Sequence, residues 1–131
     1  MYPFQADRRH LIHPETPLNS PRLHEILPGN VQVLRWPHAR PLPEGEVQAF
    51  FSARGLKFTR WSNPPGDRYA AHSHAYRKML FCVAGGITFA LTDLEREVTL
   101  RPGDRLTIPE GVRHSARVGE EGVTCIEAGE V

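Results

Sequence analysis

Three histidines stand at positions from which they could share one metal ion. His72 and His74 are separated by a single residue, and His114 follows later in the chain. Residues i and i+2 of a β-strand point to the same face, so His72 and His74 project together if their segment is a strand. Imidazole suits Zn, Fe, Cu, Ni and Co. Three protein ligands with open positions describe a catalytic metal site better than a closed structural one.

Glycines and a proline frame these histidines. Gly66 precedes the first two histidines and Gly85 follows them, whereas Gly103, Pro109 and Gly111 precede the third. Glycine accepts the positive φ that strand reversals often need, and turn-forming proline and glycine residues set where strands begin and end. The frame therefore indicates that the histidines lie on or beside short strands joined by turns.

The elements that must position the histidines are predicted to be β-strands. From Leu56 onward, short apolar segments are separated by turn residues. The predicted strands span residues 56–62, 68–75, 77–84, 86–92, 96–101, 104–108, 112–118 and 122–127. Many short strands at even spacing predict a β-sandwich or barrel. A barrel gathers distant strands around one interior, which would bring His114 to the other two histidines.

The residues before the strands differ in character. Residues 44–54 are the one good helix candidate, because Pro43 would sit at the start, acids occupy the first turn and Gly55 follows the end. We expect this helix to pack on the outside of the barrel. Residues 1–43 are rich in proline and histidine, and we interpret them as an extended arm, loose or lying across a partner, with a short strand at 31–36. The prediction is one domain at 44–131 with an N-terminal extension at 1–43.

Two segments resemble the motifs of the cupins. The first cupin motif reads G-x5-H-x-H-x3,4-E-x6-G, and GDRYAAHSHAYRKMLFCVAGG matches every position except the glutamate, where Lys78 stands. The second reads G-x5-P-x-G-x2-H-x3-N, and GDRLTIPEGVRHSARV matches all but the last position, where Val118 replaces asparagine. The resemblance covers roughly residues 56–128. It implies an all-β jelly-roll (cupin) β-barrel, here preceded by the helix and the arm.

The resemblance also implies a metal centre. By its motifs, the ligands of one divalent transition metal ion (Zn, Fe, Mn or Ni) are His72, His74 and His114. An alternative is that the three histidines line a metal-free barrel and bond to neighbouring groups. Without the glutamate, a three-histidine centre would carry the full charge of the ion, which favours an anionic ligand.

Lys78 has three alternative roles, since an ammonium group cannot bind a metal. In a strand, its side chain would lie on the same face as those of Leu80 and Cys82. We therefore expect it to point where the missing glutamate would, toward the metal. Its head either turns to the rim, holds an anionic substrate, or serves as a neutral general base or amine nucleophile. Cys82 lies about 13 Å further along an extended strand and is too far to replace the lost ligand. A thiolate from Cys125 stays open as an alternative.

Several functions are compatible with such a site. Three-histidine cupins resemble thiol dioxygenases and diketone-cleaving dioxygenases, so the first hypothesis is a metal-dependent oxidoreductase or isomerase acting on a small anionic molecule. The second is a non-catalytic metal-containing barrel that binds or senses a small ligand. The third is a metal-free structural barrel. The same fold hosts many activities, so the resemblance alone does not choose among them.

The composition of the chain excludes some classes of binding partner. The formal net charge is +1 and the sequence has no basic stripe, so we do not expect nucleic-acid binding. The apolar runs are too short for a membrane span. The N-terminus lacks the apolar segment of a signal peptide, and we expect a cytoplasmic protein in which Cys82 and Cys125 are buried thiols.

Small jelly rolls leave strand edges that need cover, which favours a homodimer. The remaining histidines fit no ligand motif and are predicted to lie on the surface: His10, His13, His24 and His38.

Overall fold

The computed structural model describes residues 23–131, so the predicted surface positions of His10 and His13 lie outside the described residues. Within these residues there is one α-helix, α1, which spans Glu44–Ala53. The strands are β1 Leu23–Leu27, β2 Val31–Arg35, β3 Thr59–Asn63, β4 Arg68–His72, β5 Arg77–Leu91, β6 Arg96–Leu100, β7 Arg105–Ile108 and β8 His114–Glu130. Within residues 23–131, no helix has both the length and the apolar character needed to cross a membrane.

Two long strands organise the sheet. The strand order is β1-β2-β7-β5-β8-β3, with β6 paired to β5 and β4 paired to β8. The first half of β5 therefore lies between β7 and β8, and its second half lies between β6 and β8. This antiparallel arrangement, in which β5 and β8 run through both halves of the structure, confirms the predicted all-β jelly-roll fold.

The predicted breaks inside β5 and β8 are wrong. The segments predicted as 77–84 and 86–92 form one strand, and so do those predicted as 112–118 and 122–127. The pairing of the two strands shifts register between Cys82 and Ala84 and again between Gly85 and Ile87. Such irregularities bend a strand without ending it. A Cβ atom at Gly85, whose φ is 71°, would lie 2.0 Å from the carbonyl oxygen of Gly122, so glycine is required there.

The helix packs on the outer face of the sheet, as predicted. Val47, Phe50 and Phe51 are its buried residues, and they join a cluster that includes Phe81 and Ile126. The rings of Phe50 and Phe51 meet that of Phe81 edge to face, with centroids 5.3 and 5.6 Å apart. This geometry is favourable for aromatic pairs, and it anchors the helix to β5.

The part of the predicted arm that is described belongs to the sheet. β1 and β2 form an antiparallel hairpin, and β2 pairs with β7 of the same chain. The end of β2 is held by Asp104, which is buried. Its carboxylate accepts hydrogen bonds from the Trp36 N–H at 2.9 Å and from Arg35 Nη1 at 2.8 Å. Residues 23–35 thus close one side of the barrel, and the division at residue 43 stays a prediction.

The interior of the barrel is apolar except toward the histidines. Its buried residues come from both halves of β5 and β8 and from the strands beside them, and they include Leu80, Cys82, Ile87, Phe89, Leu100, Leu106 and Cys125. Cys82 and Cys125 face each other across β5 and β8 and are both free thiols with no exposed surface. Hydrogen bonding to Cys82 and burial raise the pKa of Cys125, so Cys125 is a neutral thiol. Both cysteines are buried in the core, as predicted.

Candidate metal centre

The structure brings His72, His74 and His114 together at one end of the barrel. His72 and His114 are directly paired across β4 and β8, after an irregularity that shifts the register beyond Tyr69. β4 ends at His72, so the predicted strand at 68–75 is too long and His74 lies just outside it. The carbonyl oxygen of His74 instead accepts the N–H of Gly111 at 2.9 Å. The loop before β8 therefore fixes the segment that carries His74.

The three imidazole rings form a compact group. The ring centroids of His72 and His114 are 4.5 Å apart, those of His72 and His74 are 4.7 Å apart, and those of His74 and His114 are 5.3 Å apart. One nitrogen from each ring lies within 4.8 Å of the others. Nitrogens at such separations can all reach one central ion, since a Zn–N bond is about 2.0–2.1 Å long.

Backbone carbonyls determine which nitrogen of each ring is available. Nδ1 of His72 lies 2.8 Å from the carbonyl oxygen of Ala70, and Nδ1 of His114 lies 3.0 Å from that of Val112. Because a carbonyl oxygen only accepts, each Nδ1 must carry the proton and donate it. In the neutral form of either ring, Nε2 is then the nitrogen with a free lone pair that can bind a cation. Such second contacts commonly orient metal-bound histidines.

Two of the histidine nitrogens are buried without a partner. Nε2 of His74 and Nε2 of His114 have no hydrogen-bond partner among residues 23–131. A buried polar atom left unpaired costs about 1–3 kcal/mol, so the cluster is incomplete as a set of hydrogen-bonded side chains. A metal ion bound by these nitrogens would complete it, and the donor set therefore fits a divalent transition metal.

The local electrostatics keep His74 and His114 neutral. Burial lowers the pKa of His114 to about 4, with further contributions from His72 and Lys78. Burial also lowers the pKa of His74, again assisted by Lys78 and His72. Neutral imidazole is the form that binds metals. His74 and His114 are thus in the metal-binding form at neutral pH.

The sequence of the barrel matches a known family. Residues 59–127, just over half of the chain, match the profile of the cupin domain. The chain belongs to the cupin family. A search of the curated proteins found no match.

Several solved structures share the fold of this barrel. A protein from Neisseria meningitidis is 27% identical, with a TM-score of 0.51 over 59% of this chain and 75% of that one. A cupin-2 domain protein from Shewanella frigidimarina is 21% identical, with a TM-score of 0.50 over 58% and 71% of the two chains. The DMSP lyase DddQ from Ruegeria pomeroyi is 24% identical, with a TM-score of 0.53, but the match covers 58% of this cupin and only 38% of the lyase.

A pocket of about 240 Å³ opens beside the histidines. Its wall contains His72, His114, polar and aromatic side chains, and the apolar side chains of Ile87, Phe89 and Ala116. Trp61 and Tyr69 both line it. Their rings meet edge to face with centroids 5.8 Å apart. The cupin thus has a small cavity, partly aromatic, directly next to the candidate metal ligands.

Lys78 points into this pocket. Its side chain is only 12% exposed, and Nζ lies 3.2 Å from Oε1 of Glu127. The same carboxylate oxygen accepts a hydrogen bond of 2.9 Å from Nε1 of Trp61. The head of Lys78 is therefore held inside the barrel by a carboxylate and does not turn to the rim. Its chemical role stays a prediction.

Glu127 was missed by the sequence reasoning. It lies on β8 with Val123 and Cys125 on the same side, so the alternation of the predicted strand 122–127 already placed it toward the interior. A charged side chain at an interior position was the signal that could have found it. Cys125, by contrast, lies outside the group of ligand atoms formed by the three histidines.

Proposed function

We propose that this cupin binds one divalent transition metal ion through His72, His74 and His114 and takes a small anionic molecule in the adjoining pocket. The observation that carries the proposal is the convergence of three imidazoles of which two present a buried Nε2 with no partner in residues 23–131. Zn, Fe and Ni suit such a donor set, in which imidazole provides every protein ligand, whereas Mn prefers oxygen ligands and would need them from water or the bound molecule.

The charges around the site favour an anionic ligand. His74 and His114 are neutral, and the positive charge of Lys78 is balanced by Glu127 at 3.2 Å. The charge of a bound divalent ion would therefore stay uncompensated by the protein, and in such a site the ion is the dominant local charge. Carboxylates and enolates are the kinds of small molecule that this arrangement would attract.

We propose an isomerase-like or dioxygenase-like reaction for the bound molecule. A bound metal would supply Lewis acidity, or oxygen chemistry if it is iron. The chain itself would enclose the molecule between aromatic and apolar walls and limit its contact with water. A binding or sensor protein would use the same pocket without turnover. Oxygen uptake and product analysis with a panel of small carboxylates and diketones separate the two.

Metal analysis tests the proposal directly. We expect about one equivalent of a transition metal per chain in protein purified without chelating resin, measured by plasma mass spectrometry. His114→Ala should lose at least about nine-tenths of it, because two imidazoles bind far more weakly than three. His24→Ala is the matched control, since His24 is exposed and lies outside the group of three histidines. A wild-type protein that stays metal-free even after incubation with Zn, Fe, Mn and Ni would refute the proposal.

A further inference from the structure

The pair formed by Lys78 and Glu127 presents two opposite charges to one small pocket. Both residues line the cavity that also contains His72 and His114. Neither is a surface residue, since the side chains are 12% and 22% exposed. Two charged groups placed at the wall of a cavity, beside candidate metal ligands, are in a position to select what enters it.

Each member of the pair has bonding capacity left. Nζ of Lys78 and Nε1 of Trp61 both contact the same carboxylate oxygen, Oε1 of Glu127. Among residues 23–131 no hydrogen bond or ion pair is formed by the other oxygen, Oε2. An ammonium group has three donors, and its ion pair with the single oxygen Oε1 of Glu127 leaves donors of Lys78 for a ligand. The pair therefore offers the cavity a free carboxylate oxygen and free N–H donors at the same time.

We propose that the preferred ligand of this pocket is a small zwitterion, a molecule that carries a carboxylate and an amine. The proposal rests on the proposed function, since the carboxylate of the ligand would face the metal site and Lys78. The amine would face Oε2 of Glu127, next to the aromatic rings of Trp61 and Tyr69. Aromatic faces add attraction for a desolvated cation.

Ligands with a single charge satisfy this pocket less well. A simple carboxylate would meet Lys78 and a metal favourably but would also lie near the carboxylate of Glu127, and like charges repel. A simple amine would meet Glu127 but also the ammonium of Lys78. A zwitterion pairs with both, and discrimination against a partner with an unmatched charge is a common basis of specificity. Glu127 is then a specificity-determining residue.

Calorimetric titration of the full chain tests the proposal with matched probes. The probes are glycine, β-alanine and γ-aminobutyrate, each paired with the acid that lacks the amine: acetate, propionate and butyrate. We expect at least one amino acid to bind about tenfold more tightly than its matched acid, a difference of about 1.4 kcal/mol. The three chain lengths allow for different spans between the carboxylate and the amine.

Variants assign the preference to Glu127. Glu127→Gln keeps an oxygen for Trp61 and Lys78 but removes the negative charge, so the preference for the amino acid should fall to about threefold or less. Glu97→Gln is the control, because Glu97 is an exposed carboxylate paired with Arg117 away from the pocket. No amino acid bound more tightly than its acid, no binding of any probe, or a preference that survives in Glu127→Gln would each overturn the proposal.

The metal content of the same samples separates this proposal from the proposed function. A protein that loads metal but shows no amino-acid preference would overturn the zwitterion proposal alone. A protein that takes up no metal but keeps a preference dependent on Glu127 would overturn the metal proposal and leave the recognition by Glu127 standing.

Discussion

Nζ of Lys78 and Oε1 of Glu127 lie 3.2 Å apart although the two residues are not opposite each other in the sheet. The partner of Lys78 across β5 and β8 is Gly129, and the partner of Glu127 is Leu80. The two side chains therefore meet along the diagonal between neighbouring strands, a separation that long side chains can span. A Cβ atom at Gly129 would lie 2.7 Å from the ring of Tyr76, so that ring fills the position directly opposite Lys78.

The first prediction concerns the strength of this pair. We expect Lys78→Met and Glu127→Gln each to lower the free energy of unfolding, since each leaves a partly buried charge without its partner. The double variant should recover part of the loss, which gives a coupling energy of about 1–2 kcal/mol. Urea unfolding of the four proteins measures it. The exposed pair of Arg77 and Glu130 is the control, and its coupling should stay below about 0.5 kcal/mol. Equal coupling in the two pairs would contradict the prediction.

The second prediction concerns the pH dependence of the metal-free protein. The pKa of His114 falls from 6.5 in the unfolded chain to about 4 in the folded chain. Between these values the unfolded chain binds a proton that the folded chain does not, so stability is present above pH 6.5 and is lost as the pH falls toward 4. The loss is on the order of 3 kcal/mol.

Urea unfolding of chelator-treated protein across this pH range measures the effect. Carboxylates also titrate at the acidic end, so the informative quantity is the difference between the wild type and His114→Gln. The variant should lose clearly less stability on acidification, and His24→Gln should behave as the wild type. A His114→Gln variant with the same pH dependence as the wild type would show that His114 is not the group responsible.

The third prediction tests the bend in β5. Gly85→Ala should cost more than about 2 kcal/mol, because its Cβ would lie 2.0 Å from the Gly122 carbonyl oxygen and φ is 71°. Gly45→Ala is the matched control, since Gly45 lies in α1 and a Cβ added there would meet no atom within 4 Å. Alanine there should be neutral or stabilise the protein by up to about 1 kcal/mol. Thermal and urea unfolding compare the two, and similar effects would contradict the proposed role of Gly85.

The fourth prediction concerns Asp104. Its carboxylate accepts hydrogen bonds from Arg35, from the Trp36 N–H and from the Arg101 N–H at 3.0 Å. Asp104→Ala removes the acceptor of the Trp36 and Arg101 N–H groups and the buried partner of Arg35, which keeps only its bond to the Thr99 carbonyl and its distant contact with Glu25. We therefore expect a loss of about 3–5 kcal/mol. Asp93→Ala, at an exposed aspartate, should change stability by no more than about 0.5 kcal/mol. A small effect of Asp104→Ala in urea unfolding would show that β2 is held mainly by its strand pairing.

Local patterns predicted the barrel, the helix and the grouping of three histidines. Turn residues, the alternation of apolar and polar residues in strands, and the signals flanking residues 44–54 can each be recognised within a short stretch of sequence. The continuity of β5 and β8 was missed because glycines that bend a strand and glycines that end one look the same before the pairing is known.

The partner of Lys78 was missed for a related reason. Its contact with Glu127 depends on the register of two strands far apart in the sequence, and a single-residue slip would turn Glu127 to the opposite face. The position of His74 beyond the end of β4 likewise depends on its contact with Gly111, which no local pattern encodes.

The presence of lysine at position 78 and glutamate at position 127 also bears on how such a site can change over evolutionary time. Glutamate at position 78 alone would set two carboxylates side by side, and lysine at position 127 alone would set two ammonium groups side by side. Each single step passes through a state with like charges in a half-buried cavity, which is costly. A lineage that exchanges the two charges must therefore do so in concert or through an uncharged intermediate, and the residues at these two positions should vary together among related barrels.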